Sequence, residues 1–188
     1  KITLKGIKPA IWRRIQVPET YTFWDLHIAI QDAMGWADSH LHLFTVVDPS
    51  TGMKIETGIP TGELDEYDEI LPGWGQKIAD YFVMENRTAS YVYDFGDAWE
   101  HKIHLEKIFA KEKNILYPRC TKGQRACPPE DCGGVYGYGD LLEILRDPEH
   151  EEYEELKEWV GGEFDPEHFD LEEVGFDDPV ERRKKLIR

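Results

Sequence analysis

Two short stretches and the basic start of the chain hold most of the side chains that could do chemistry. YDFGDAWEH, residues Tyr93 to His101, sets Asp94, Asp97, Glu100 and His101 around one glycine. A carboxylate beside a partly buried imidazole fixes its tautomer, raises its pKa or helps it hold a metal. These four residues are therefore the candidate catalytic set, as acid–base groups or as ligands of a metal-dependent enzyme that would centre on Asp94, Asp97 and His101. The same letters also describe a hairpin in which a turn aspartate hydrogen-bonds a core histidine, with Gly96 supplying an unusual backbone angle. Spacing alone leaves both readings open.

The second stretch, CTKGQRACPPEDCGG, carries all three cysteines, Cys120, Cys127 and Cys132. Zinc takes thiolate or imidazole ligands converging tetrahedrally, usually from a tight Cys-x2-4-Cys knuckle. Here the spacing is Cys-x6-Cys-x4-Cys, so a zinc site would need His101, Asp97 or Glu130 brought close by the fold. The metal candidates are Cys120, Cys127, Cys132 and His101. A disulfide between two of the cysteines, or three reduced thiols in a loop stiffened by Pro128 and Pro129, explains the same letters.

At the start, Lys1, Lys5, Lys8, Arg13 and Arg14 precede the first acidic residue, Glu19, with Trp12 among them. Cations interleaved with an aromatic ring can pair with phosphates and stack on bases, which makes Lys5, Arg13 and Arg14 candidates for nucleic-acid binding. Two polar strand faces account for them equally well. Several other patterns are missing: no G-x-x-x-x-G-K-[ST], no dinucleotide-binding glycine pattern, no H-E-x-x-H and no G-x-S-x-G. Asp94-Phe95-Gly96 matches three kinase letters without a Gly-rich or catalytic loop to accompany them. Ser39 beside His40 does not suggest nucleophilic catalysis, since sequence neighbours rarely face each other.

The elements that must position these residues read as follows. KITLKGI and IWRRIQV alternate as strands joined near Lys8-Pro9, with Ile11, Arg13, Ile15 and Val17 on one face and Trp12, Arg14 and Gln16 on the other. TFWDLHIAIQDAMGW is a helix: Thr22 caps it, Asp25 completes a capping box, and Gly35 stops it. Phe23, Leu26, Ile30, Ala33 and Met34 form its apolar stripe. LHLFTVVD is a third strand, followed by turn-rich chain to Gly62. LDEYDEILPGWG is irregular or briefly helical, and QKIADYFVMENR holds a short helix. YVYDF and WEHKIHLEKIF make a hairpin across Gly96-Asp97-Ala98. In its second strand Trp99, His101, Ile103 and Leu105 face one way, and Glu100, Lys102, His104 and Glu106 the other. Asp94 and Asp97 then fall at the hairpin end, within reach of His101. Lys111 to Gly139 reads as loop, and the acidic last third as helices broken at Pro148, Gly161 and Pro166. The expected fold is α+β, a mostly antiparallel sheet covered by helices.

The chain has 188 residues, enough for a single domain, with an acidic helical region over 140–188 packed on it. Its 40% hydrophobic and 12% aromatic content supports a real core. The net charge of −16 is concentrated: residues 141–178 hold 16 acidic against two basic residues, a net of −14, which leaves −2 for the rest. Such a surface repels phosphate backbones, so DNA is disfavoured as a partner. The charge asymmetry leaves a protein partner or self-association open. No apolar run approaches the roughly 18 residues that a membrane span requires, and no signal-peptide pattern opens the sequence. Three cysteines do not suit a secreted disulfide framework, so a cytoplasmic protein is expected.

KGIKPAIWRRIQVP, TFWDLHIAIQDAMGW, YDFGDAWEH, RACPPEDCGGVYGY and FDPEHFDLEEV together resemble the plasmid pRiA ORF-three-like family, in the family's order across nearly the whole chain. The resemblance implies that Asp94, Gly96, Asp97, Trp99 and His101, with Cys127 to Gly133, belong to a family signature. Some members carry labels linking them to plasmids or to transposon passenger genes, sometimes resolvase-like. A serine recombinase needs a nucleophilic serine amid arginines, and a tyrosine recombinase a His-x-x-Arg element; neither is present. These features describe a binding or regulatory module whose polar site lies where the YDFGDAWEH hairpin meets the CPPEDCGG loop. The rivals are the metal-dependent enzyme and a DNA-binding accessory protein.

Overall fold

The computed structural model describes residues 1–60 and 70–186. Strands β1 (Ile2–Leu4) and β2 (Trp12–Gln16) open the chain, followed by helix α1 (Phe23–Met34), β3 (His42–Val47) and β4 (Lys54–Gly58). Next come β5 (Leu71–Pro72), a 3-10 turn at Gly73–Gly75, α2 (Ile78–Tyr81), and the hairpin β6 (Thr88–Tyr93) and β7 (Trp99–His104). Strand β8 (Arg119–Gln124) precedes helices α3 (Gly134–Ile144), α4 (Tyr153–Trp159) and α5 (Pro179–Leu186). The eight strands form one sheet in the order β5-β4-β3-β6-β7-β1-β2-β8. Every pairing is antiparallel except β4 with β5, so the fold is α+β as expected.

Period-two alternation fixes which face of the sheet is covered. Phe44, Val46, Ala89, Tyr91, Tyr93, Trp99, Ile103, Ile2 and Leu4 are buried and join one hydrophobic cluster with Phe23, Leu26, Ile30 and Met34 of α1, and His101 is buried on the same face. The opposite face is polar, with Thr45, Ser90, Lys102, Thr3 and Trp12 in one cross-strand row. Helix α1 begins as its letters require. The Thr22 side chain accepts from the Asp25 amide, the Asp25 carboxylate accepts from the Thr22 amide, and Gly35 at φ 91° ends the helix.

Several sequence expectations are corrected. Two strands lie in stretches read as loop: β4 in the turn-rich segment, and β8 inside Lys111–Gly139. Gly96 has no positive φ; Asp94 (57°) and Ala98 (54°) carry the left-handed angles of the hairpin turn. LDEYDEILPGWG ends in β5 and the 3-10 turn, while its residues 64–69 lie outside those described. In the last third, Leu142, Leu145, Leu156, Val160 and Phe164 pack against the core cluster. The chain from Gly161 to Asp178 is not helical. Among the described residues no helix is long and apolar enough to cross a membrane.

Candidate functional site

The hairpin turn and the cysteine loop lie against each other, and a third segment, residues 36–41, joins them. Asp94 pins the hairpin end: its Oδ1 accepts from the Gly96 amide at 2.8 Å, its own amide donates to the Leu41 carbonyl at 2.9 Å, and its carbonyl accepts from Ala98 at 2.7 Å. Asp97 reaches the loop, its Oδ2 accepting from the Gly133 amide at 3.1 Å. Gly133 and Gly134 turn the chain into α3 at φ 87° and 68°. A Cβ on Gly134 would stand 2.4 Å from the Asp97 carbonyl oxygen, so only glycine admits this approach.

Trp36 ties the third segment in. Its Nε1 donates to the Pro128 carbonyl at 2.9 Å and its ring stacks on Tyr93 at 5.0 Å. Glu130 accepts from the Ala37 amide at 3.0 Å and from the Tyr93 hydroxyl. Burial, and then this bond to a carboxylate, push the Tyr93 phenol well above its usual range. Tyr93 in turn accepts from the Ser39 amide at 2.9 Å.

At this junction three ligating side chains converge. His40 Nε2 lies 3.0 Å from Asp131 Oδ1 and 3.7 Å from Asp94 Oδ2. One ligand atom from each residue lies within 4.8 Å of the others, the one such trio among the described residues. The His40 Nε2 atom is inaccessible to solvent and hydrogen-bonded to neither carboxylate. Asp94 is 10% exposed and Asp131 68%, so the trio is rooted inside and open outside. Leu41, Phe95 and Tyr136, close in sequence to the three, are exposed.

The other sequence candidates are placed elsewhere. His101 is fully buried, as its strand parity requires, but its neighbours are not carboxylates. Its Nδ1 pairs with the Trp99 carbonyl at 2.9 Å, Nε2 has no hydrogen-bond partner, and Trp36 and Tyr91 enclose the ring. Desolvation lowers its pKa to about 4, so it stays neutral. Asp94 and Asp97 hold the turn and the loop instead, and Glu100 pairs with Lys5 at 3.0 Å on the open face. The cysteines and His101 form no ligand trio among the described residues. Cys120 sits on β8 opposite Ile15. All three are free, and burial pushes the Cys127 thiol up strongly and the Cys132 thiol up to about 12.

The nucleic-acid candidates are engaged internally. Arg13 is 3% exposed; its guanidinium donates to the carbonyls of Ala33, Trp12 and Gln124 and lies over the Phe169 ring at 4.2 Å. Arg14 makes a two-pronged pair with Glu106 at 2.6 and 2.9 Å.

A second polar cluster, which the sequence reading missed, backs the 36–41 segment. The buried rings of His27 and His42 stack at 3.5 Å with 10° between planes. His27 bridges the Tyr91 hydroxyl (2.8 Å) and Asp38 (2.7 Å), while neither His42 nitrogen has a hydrogen-bond partner. Arg182 of α5 closes the cluster, 3.0 Å from Asp32 and 3.7 Å from Asp38. Burial lowers His27 to about 3 and His42 well below the usual range, and raises Asp38 to about 6.

An open, one-side-covered α+β sheet with its polar site at the end of a central hairpin defines the class of protein. The chain belongs to the family of plasmid pRiA4b ORF-3-like proteins, whose model matches residues 1–173. It is 35% identical over 164 residues to the uncharacterized protein y4hQ of Sinorhizobium fredii, covering 86% of this chain and 79% of that one. It is also similar to the crystal structure of the protein of unknown function MM3350 from Methanosarcina mazei Go1. There the identity is 51% and the TM-score 0.86, over 93% of this chain and 94% of that one.

Proposed function

We propose that this protein is a cytoplasmic binding module whose site is the junction of residues 37–41, the hairpin turn and the CPPEDCGG loop, and that the bound group is cationic. One observation carries the reading. Asp94, Asp97, Glu130 and Asp131 meet there from two segments, and among the described residues no lysine or arginine pairs with any of them. Converging carboxylates repel one another until a cation arrives, and backbone and side-chain bonds from three segments hold these in place beforehand. The exposed Leu41, Phe95 and Tyr136 supply apolar contact beside the charge. Three free thiols support a reducing compartment.

The DNA-accessory reading is not favoured, since Arg13 is internal and Lys5 and Arg14 are already paired. The test is an amide-resolved NMR titration of the full chain with zinc, manganese, calcium and magnesium chlorides and a short arginine-rich peptide. The reading expects saturable shifts confined to residues 37–41, 93–98 and 128–134 with at least one probe, abolished in an Asp94→Asn/Asp131→Asn double variant. Shifts confined to other regions, or none, would remove it.

A further inference from the structure

Resting on that reading of the site, we propose that the cation is a single divalent transition metal held by His40 Nε2, Asp94 Oδ2 and Asp131 Oδ1. The two histidine–carboxylate distances suit a coordination shell, and all three ligand atoms lie within 4.8 Å of one another. Ligands on one ion with bonds of about 2.0–2.2 Å stand roughly 3.0–4.4 Å apart in tetrahedral or octahedral arrangements. The imidazole nitrogen lies 3.0 and 3.7 Å from the two carboxylate oxygens. A protonated histidine between two carboxylates would turn a ring N–H along one of them. Here Nε2 is shielded from solvent and hydrogen-bonded to neither carboxylate, so its lone pair is not spent on a protein partner, and one oxygen of each carboxylate lies within 4.8 Å of it.

The chemistry of the donors selects the ion. One nitrogen and two oxygens suit zinc, manganese, iron or cobalt in the divalent state, whereas calcium and magnesium take all-oxygen shells. Two carboxylates neutralise the +2 charge and leave a net-neutral site. Outer contacts already orient the ligands. Asp94 spends Oδ1 on the Gly96 amide, which frees Oδ2, and the turn is fixed to Leu41, the residue after His40. Three protein ligands and a 68% exposed Asp131 leave outward positions for water or an anionic ligand. Neither His101 nor any cysteine takes part. This site replaces both ligand sets that the sequence suggested, with one shared member, Asp94.

The test uses the full chain stripped with EDTA, equilibrated with zinc or manganese chloride alone, and read by calorimetry and elemental analysis. One equivalent is expected to bind, with affinity falling at least about tenfold in His40→Ala and in Asp131→Asn and unchanged in a Cys127→Ser/Cys132→Ser variant. Cobalt loading is expected to give ligand-field absorption without thiolate charge transfer. Asp131 is exposed, so its variant keeps the fold, and unchanged urea midpoints verify this. Wild-type affinity retained in the His40 and Asp131 variants, stoichiometry well below one, or loss only in the cysteine variant would overturn the proposal. If calcium, magnesium or the arginine peptide binds the junction and transition metals do not, the metal assignment fails and the binding-module reading survives. If no probe binds there, both fail.

Discussion

Replacing Gly134 by alanine attacks the seam between hairpin and cysteine loop at its narrowest point. Two costs follow from the structure. Gly134 sits at φ 68°, a left-handed angle that costs an L-residue about 1–2 kcal/mol. The new methyl would also lie 2.4 Å from the Asp97 carbonyl oxygen, a backbone atom that cannot swing aside. Relieving it demands a shift of roughly 1 Å between hairpin and α3, and overpacking of this kind adds about 1–3 kcal/mol. The sum is a loss of about 2–5 kcal/mol. An internal control lies in the same helix. Gly139 is exposed, with nothing within 4 Å of where its Cβ would be, so Gly139→Ala is expected to stabilise by about 0.5–1 kcal/mol. Urea unfolding followed by tryptophan fluorescence reads both variants. Opposite signs are expected; a Gly134→Ala loss below about 1 kcal/mol would refute the close approach.

Acid should unfold the protein between about pH 6.5 and 4. His27, His42 and His101 are neutral when folded and protonate below about pH 6.5 once exposed, so each takes up a proton on unfolding; Asp38, raised to about 6, gives one back. With two net protons gained on unfolding, stability should fall by about 2–3 kcal/mol per pH unit near pH 5. Urea midpoints at several pH values in the presence of EDTA would show this, and a flat profile would contradict it. His42→Leu should flatten the slope by about one proton. Arg13→Ala should cost about 3 kcal/mol or more, because it strips one buried and two part-buried carbonyls of their donor. Arg14→Ala, on the surface, should barely move the urea midpoint. Comparable losses from the two would contradict their placement.

How far the letters reached depended on burial. Helix α1 was legible down to its caps because Thr22, Asp25 and Gly35 act locally. The hairpin was legible because alternation in WEHKIH records one buried face, but its strands run over Thr88–Tyr93 and Trp99–His104 rather than over YVYDF and WEHKIHLEKIF. Strands β4 and β8 were not: KIETG and RCTKGQ lie toward the sheet edges and carry little alternation to read. The meeting of hairpin and loop could be argued from the letters, but His40 could not be named. It stands 54 residues from Asp94 and 91 from Asp131, and only the β3–β6 pairing brings it there. The available signal was antiparallel order: with His42 opposite Tyr93, Leu41 must approach Asp94 just after β6, and His40 follows one residue further on. His101 misled because inward parity is right for a core histidine as well as for a ligand.

Anomalous diffraction from crystals of the full chain grown with zinc or manganese, collected at the metal's absorption edge, would locate the ion itself. One peak about 2.0–2.2 Å from the His40 imidazole nitrogen, the Asp94 carboxylate and the Asp131 carboxylate is the predicted result. A peak beside Cys127, Cys132 or His101, or no peak at this junction, would contradict the account.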